Sequence, residues 1–407
     1  MNWANFRARI PDINSWLLTF LFFTIPIQIA PAYIVSAMMI MLWMIEGRFA
    51  QKWAELKREP LAWIFVAYYG VYLLSMLWTV DKEWGWRMVG KQTFFLLFLI
   101  YFTVARREHF WRYVAAFLLG TAMCEVLAYY NWLQLNIWPE WPRGIRAEKG
   151  ADDTAPFVDR IMYAPALALA GYLAGHQWLF GDASRRMRIA YAALFVATII
   201  NLMFSGGRAG LLGFLALLVL LIFQRFARRP VLASCVACLA IVALCGTAYG
   251  TSDYFQKRVD AMVSNIQNYE TTVNTSVGLR LTYYANAWRL FMSNPLIGIG
   301  AGDYPAEYEK VNAIYSPKWE PAWNPHNQYL LALTSAGLLG GIAIFLTLFY
   351  PMFRKGLPDG RQRIRIAVPL LFCTICLVES YLMRSNTSMA YVLFCAALWR
   401  AAKEPAA

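Results

Sequence analysis

Apolar runs of about 20 residues recur along the whole chain, each long enough to cross the roughly 30 Å of hydrocarbon in a bilayer. In lipid, every backbone N–H and C=O must find its partner within the spanning structure, so runs of this length fold as helices. Composition agrees: residues of the AVILMFWYC set make up 59% of the 407 positions and charged residues only 15%. A soluble globule could not cover so much apolar surface. The expected fold class is therefore an all-α polytopic membrane protein, which excludes soluble Rossmann enzymes, disulfide scaffolds and disordered linkers.

Twelve candidate spans can be drawn, at about 14–30, 32–46, 61–79, 89–105, 112–134, 160–180, 189–204, 209–224, 231–250, 327–352, 366–382 and 387–399. The first run is followed at once by a second, so no cleavable signal peptide is expected. An even number of spans puts both termini on one side. With the N-terminus inside, Arg7, Arg9, Arg48, Arg58, Arg106, Arg107, Arg185, Arg186, Arg228, Arg229, Arg354, Lys355 and Arg400 all fall in inner segments, and the outer segments carry no net charge. This distribution follows the positive-inside rule and accounts for the net charge of +13 without nucleic acid. The seven cysteines lie inside apolar runs. Cys235/Cys238 and Cys373/Cys376 have CxxC spacing, but each pair sits in one hydrophobic helix, so they read as small core residues rather than redox or metal ligands.

Taken as one integral membrane domain over 1–407, the chain keeps its polar mass in two long outer loops, 134–159 and about 251–325, the second expected to form a loop subdomain. Within it, Gly278 to Met292 predicts an amphipathic helix with Leu281, Tyr284, Ala285, Trp288, Leu290 and Phe291 near one face, stopped by Asn294 and Pro295.

The candidate chemistry sits at outer helix ends. In Phe204 to Leu212, Ser205 is expected to cap the next helix while Gly206 and Gly207 turn the backbone, which outlines an anion site to which Arg208 adds a forked guanidinium. A Gly-rich turn with an Arg snorkelling to headgroups reads equally well. In Asn324-Pro325-His326, Asn as N-cap and Pro at the first helical position would put His326 in the first turn, where the helix dipole disfavours imidazolium and leaves a neutral ring able to accept a proton. Arg280 and Arg289 lie nine residues apart and so point to opposite faces of one helix. Lys91 and Arg87 are further outer cations, with snorkelling as the plainer role. His109 and His176, near inner loop ends, are expected to be inert.

Among acids, Glu379 stands near the outer end of the eleventh run, where an ionisable group is expensive unless partnered, and Glu125 is expected to hydrogen-bond a neighbouring helix. The first outer loop carries no acid for a metal, and Asp152 with Asp153 read as solvated neighbours, so no metal or other cofactor is expected. Trp138, Trp141, Trp319 and Trp323 could stack on sugars or form an interfacial belt.

In order and spacing these elements resemble the O-antigen ligase family and its relatives, the O-antigen polymerases and bacterial protein O-oligosaccharyltransferases. The resemblance lies in His326-Asn327 followed by Gly337 and Gly340, in Arg208 to Leu212, in Gly278 to Arg280, in Trp288, and in Asn294-Pro295 running to Gly298 and Gly300. It implies a GT-C-like glycosyltransferase of the bacterial inner membrane, with both termini cytoplasmic and the site facing the periplasm. It would move a glycan from undecaprenyl pyrophosphate to lipid A-core. Carried over by position, His326 would be the base that deprotonates the acceptor hydroxyl. Arg208 and Arg280, with the Gly206-Gly207 turn, would hold the donor pyrophosphate, and Glu379 would orient His326. Pyrophosphate is already a good leaving group, so charge stabilisation and a base suffice and in-line attack inverts the anomeric carbon. The resemblance leaves open a polymerase or protein-glycosylating relative. A transporter would instead place its charges near mid-bilayer.

Overall fold

The structure, a computed structural model, describes residues 3–146, 149, 153–251, 253–267 and 273–400. Among them the chain forms α-helices and no strand. The helices are α1 (Trp3–Thr24), α2 (Ile29–Glu46), α3 (Phe49–Lys57), α4 (Pro60–Ser75), α5 (Lys82–Gln92), α6 (Leu97–Val104), α7 (Phe110–Asn136), α8 (Arg160–Phe180) and α9 (Arg185–Phe204). There follow α10 (Arg208–Arg225), α11 (Pro230–Thr251), α12 (Asp253–Gln267), α13 (Ser276–Ser293), α14 (Tyr304–Tyr315), α15 (Gln328–Phe353), α16 (Gln362–Ile375) and α17 (Ser385–Trp399). Among the described residues, seven stretches are long and apolar enough to cross a membrane, including Lys82–Val104, where α5 and α6 join through a 3₁₀ turn. The chain is thus an all-α polytopic membrane protein. Each of the twelve apolar runs overlaps one or more helices, although in the runs at 14–30, 61–79 and 366–382 the α-helix stops early, at Thr24, Ser75 and Ile375.

Helix α8 packs along α9 and α10, α1 along α2 and α7, α15 along α4 and α16, and α17 along α6. Their shared core is aromatic and aliphatic, with Phe65, Tyr68, Phe95, Leu167, Tyr391 and Phe394 fully buried. Large apolar side chains on the outer surface, such as Ile34, Leu119, Val196, Leu239 and Phe345, are exposed. That is the pattern of a bundle whose solvent is hydrocarbon. Two of the expected core cysteines belong to that surface: Cys235 and Cys238 on peripheral α11 are exposed, whereas Cys124, Cys373, Cys376 and Cys395 are buried. Glu125 is buried on α7 and accepts a 2.6 Å hydrogen bond from Thr198 of α9, the expected bridge between helices.

Polar contacts gather the connections at two ends. At one, the basic segments meet acids from other loops: Arg106 with Asp12 at 2.6 Å, Lys52 with Glu46 at 2.9 Å, Arg400 with Glu55 at 2.7 Å, and Arg354 with Glu59. Fully buried Arg365 makes two 2.6 Å bonds to Asp359 and caps the end of α17 through the Leu398 carbonyl. His109, expected to be inert, lies at this end against Ser15 and Arg112. His176 is buried among Trp111, Tyr172 and Phe180.

At the other end, 273–327 folds back on the bundle. Asp303 accepts the Val80 and Asp81 N–H groups at 2.9 and 2.7 Å. The glycines of the 294–300 segment meet a break inside α15: Ile299 N–H donates to the Thr334 carbonyl at 2.8 Å, and Leu338 N–H to that of Pro295 at 2.8 Å. The break lies at Ala336 and Gly337, and Gly337 has φ of 60°, a conformation L side chains rarely adopt. A Cβ there would also stand 2.4 Å from the Leu296 carbonyl oxygen. Gly337→Ala is therefore expected to cost about 1–3 kcal/mol, seen as a lower unfolding temperature in detergent. An unchanged midpoint would show that the contact between 296 and 337 relaxes freely.

Candidate active site

The site is built where 324–328 meets 376–384. These segments, far apart in sequence, are laced by hydrogen bonds: Gln328 N–H to the Cys376 carbonyl at 2.9 Å, Asn327 Nδ2 to the Leu377 carbonyl at 3.0 Å, Leu382 N–H to Gln328 Oε1 at 3.0 Å, and Ser380 Oγ to Asn324 Oδ1 at 2.7 Å. The expected helix start is corrected here. The N-cap is Asn327, whose Oδ1 accepts from the N–H groups of Tyr329 and Leu330, and not Asn324. Asn324 instead accepts the His326 N–H at 3.0 Å. His326 stands one residue before the cap, outside the helix, with φ of 50°. This uncommon conformation for a non-glycine residue is imposed by the lacing on both sides.

That conformation aims the ring at Glu379. Nδ1 lies 2.9 Å from Glu379 Oε2, and the ring stacks on Tyr283 with centroids 5.8 Å apart. The imidazole side chain keeps 29% of its exposure while the carboxylate keeps 6%. Glu379 sits past the end of α16, in the connection to α17. Burial would raise its pKa, but the hydrogen bond and attraction of His326, then Arg384 at 3.4 Å and the Ser380 N–H, hold it well below the usual carboxylate range. An ionised carboxylate only accepts, so the shared proton belongs on Nδ1. In the neutral ring Nε2 then carries the lone pair, the arrangement that prepares a histidine to take a proton.

Glu379 also lines a cavity of about 140 Å³, together with Arg160, Gly206, Gly207, Arg208, Ser276, Arg280 and Tyr381. His326 does not line it but reaches it through the shared carboxylate. Three helices begin at this cavity: α8 with Arg160, α10 with Arg208 and α13 with Ser276. Their N-terminal dipoles and three guanidinium groups make it strongly attractive to a multivalent anion. Arg208 donates to Ser276 Oγ at 3.2 Å, which ties the start of α10 to that of α13. Gly207 is needed for the approach of α10 to α8, since a Cβ there would stand 2.2 Å from Ala164 Cβ. Ser205 is not the cap expected: it closes α9, and Gly207 occupies the cap position of α10 without a side-chain bond.

The expected helix at 278–292 is α13, capped by Thr275 and ended at Asn294. Of the face expected, Leu290 and Phe291 are buried and Tyr284 is half-buried, but Leu281, Ala285 and Trp288 are exposed and Tyr283 and Ala287 are buried instead. Arg280 reaches the cavity and Arg289 turns away to Asn286 and over the Tyr315 ring, as their spacing requires. Asp153 bonds the Ala155 N–H at 3.3 Å and faces Arg146, and Asp152 lies outside the described residues. Among the described residues no cluster of His, Cys, Asp or Glu could hold a metal. Sequence reasoning missed Arg160, Tyr381 and Arg384. For Arg160 a signal existed, since Asp159 is a strong N-cap and marks a helix start like that at Arg208.

A helical membrane bundle with a paired histidine beside a cationic cavity at one end is the class of protein these features define. Residues 193–345 match the family described as O-antigen ligase, so over that stretch the chain is similar to members of that family. The match includes His326, Arg208 and Arg280. An uncharacterized protein of Haemophilus influenzae is 32% identical over 124 residues, 29% of this chain and 31% of that protein, so the chain covers under a third of this relative's length.

If the cavity binds multivalent anions, inorganic pyrophosphate is expected to bind the purified protein, and Arg208→Gln with Arg280→Gln to weaken it at least tenfold. Calorimetric titration at two salt concentrations checks this. Affinity indifferent to both substitutions and to salt would place the anion elsewhere.

Proposed function

We propose that this protein is an O-antigen ligase, a glycosyltransferase that moves a glycan from undecaprenyl pyrophosphate to lipid A-core. The observation that carries the reading is the 2.9 Å His326–Glu379 pair standing at the wall of the Arg208–Arg280 cavity. A base and a pyrophosphate cradle meeting at one carboxylate are what transfer from a lipid pyrophosphate requires. The loops at the site end are less basic than those at the other, which supports a periplasmic site in the bacterial inner membrane with both termini cytoplasmic. In the same reading 251–325 is a periplasmic loop subdomain of a single GT-C-like membrane domain.

In the proposed reaction the acceptor hydroxyl gives its proton to His326 Nε2 as its oxygen attacks the anomeric carbon. Glu379 holds the ring through Nδ1 and stabilises the imidazolium that forms. The bond from the anomeric carbon to the pyrophosphate oxygen breaks on the opposite face, and Arg208, Arg280 and the helix ends take up the charge on the departing undecaprenyl pyrophosphate. These groups stabilise the leaving group without a metal, and attack from the far side inverts the anomeric centre.

His326→Ala is expected to lower turnover by about 10²–10⁴, the usual worth of a positioned base, with donor binding kept. Near-normal turnover would remove the assignment. The glycosidic bond formed should have the configuration opposite to that of the donor, read by NMR of the product; retention would exclude a single displacement. Incubation with lipid A-core, a second lipid-linked glycan or a pilin-like protein separates ligase from polymerase and protein transferase by which acceptor gains mass, and a transporter would give no covalent product.

A further inference from the structure

A second cavity, of about 730 Å³, opens between α2, the α5–α6 span and the start of α17. Its walls are largely apolar, among them Ile40, Trp84, Phe94 and Leu97, while Arg87 and Lys91 lie at its rim. The two cations are four residues apart on α5 and so share one face. Arg87 pairs with Glu83 at 2.6 Å, but both are largely exposed, and such a screened pair yields readily to a phosphate. Lys91 Nζ stands 5.5 Å from the Trp323 ring centroid. Across the groove, Tyr33 of α2 donates to Ser385 Oγ at 2.9 Å. Ser385 follows Arg384, whose guanidinium is 3.4 Å from Glu379 Oε2. The groove is thus linked through Ser385 and its neighbour Arg384 to the His326–Glu379 pair. Glu379 itself lines the Arg208–Arg280 cavity, and Arg384 joins it to the groove's edge at Ser385.

We propose that this groove seats the second lipid substrate, a phosphorylated glycolipid acceptor, with its chains along the apolar wall and a phosphate at Lys91 and Arg87. Charge complementarity carries the assignment: apolar walls of this extent under paired cations fit an anionic amphiphile, and neither substrate of a lipid-to-lipid transfer can use the other's cradle at the moment of reaction. The proposal rests on the transfer reading above.

The test uses the full chain in phosphatidylcholine nanodiscs with both substrates varied. Lys91→Gln combined with Arg87→Gln is expected to raise the acceptor KM at least tenfold while the donor KM stays within about twofold. Lys91→Arg should keep most of the acceptor affinity, and dephosphorylated acceptor should behave with the wild type as phosphorylated acceptor does with the double variant. A rise in donor KM alone would give the groove to the donor chain, and unchanged constants would leave the cations no ligand; either overturns the proposal. So would phosphatidylglycerol displacing the acceptor at equal mole fraction. Should the charge variant fold poorly, Leu97→Trp, which fills the groove without touching charge, must raise the acceptor KM in the same way. Native mass spectrometry counting acceptor bound to wild type and double variant decides the groove independently of turnover, so that loss of the transfer reading and loss of the groove remain distinguishable.

Discussion

The lacing of 324–328 to 376–384 is the constraint on which the site depends. An imidazole and a carboxylate more than fifty residues apart could each take many rotamers, and His326 sits in a backbone conformation that a free chain would rarely visit. Carbonyls of Cys376 and Leu377 receive donors from Gln328 and Asn327, and Ser380 reaches back to Asn324. Each bond is modest on its own, but together they leave the two side chains one mutual arrangement, with the entropy of positioning spent during folding. Tyr284, whose hydroxyl lies 2.9 Å from the Leu377 carbonyl and 3.3 Å from that of His326, pins both segments to α13.

The same region explains how a strongly apolar bundle affords a polar centre. Charges at mid-bilayer would be costly, and the cations of the site instead occupy helix ends, where Arg160, Arg208 and Arg280 sit beside backbone dipoles already oriented toward an anion. Glu379 is the exception, a buried acid. Its cost is met by His326, Arg384 and the Ser380 N–H, which keep it ionised against burial. The glycine-bearing 294–300 segment and the break at Gly337 serve this arrangement from behind, holding 273–327 against the bundle so that α13 can present Arg280.

How much was legible in the sequence varies by element. The spans, the helix at 276–293, the opposition of Arg280 to Arg289 and the Glu125 bridge all follow from period and hydropathy, which act over a few turns. The cap at Asn327 was misplaced because Asn324-Pro325 imitates a local start signal, while the true start depends on carbonyls from another segment. The inward face of α13 was misjudged because Leu281 and Trp288 are as apolar as the residues that are buried, and in a membrane protein an apolar face does not have to point to the core. Arg384 carried no local signal at all.

By itself, then, the sequence determined that the chain is a helical membrane protein, which connections are basic, and which residue types with the right chemistry stand at helix ends, since those properties are set by length, charge and short-range spacing. Only the tertiary structure decided that His326 meets Glu379, that Arg160, Arg208 and Arg280 share a cavity, and that α2, the α5–α6 span and Ser385 enclose a second groove. Those relations rest on contacts between segments tens to hundreds of residues apart, and which helices become neighbours is fixed by packing complementarity over the whole bundle, which no local pattern encodes.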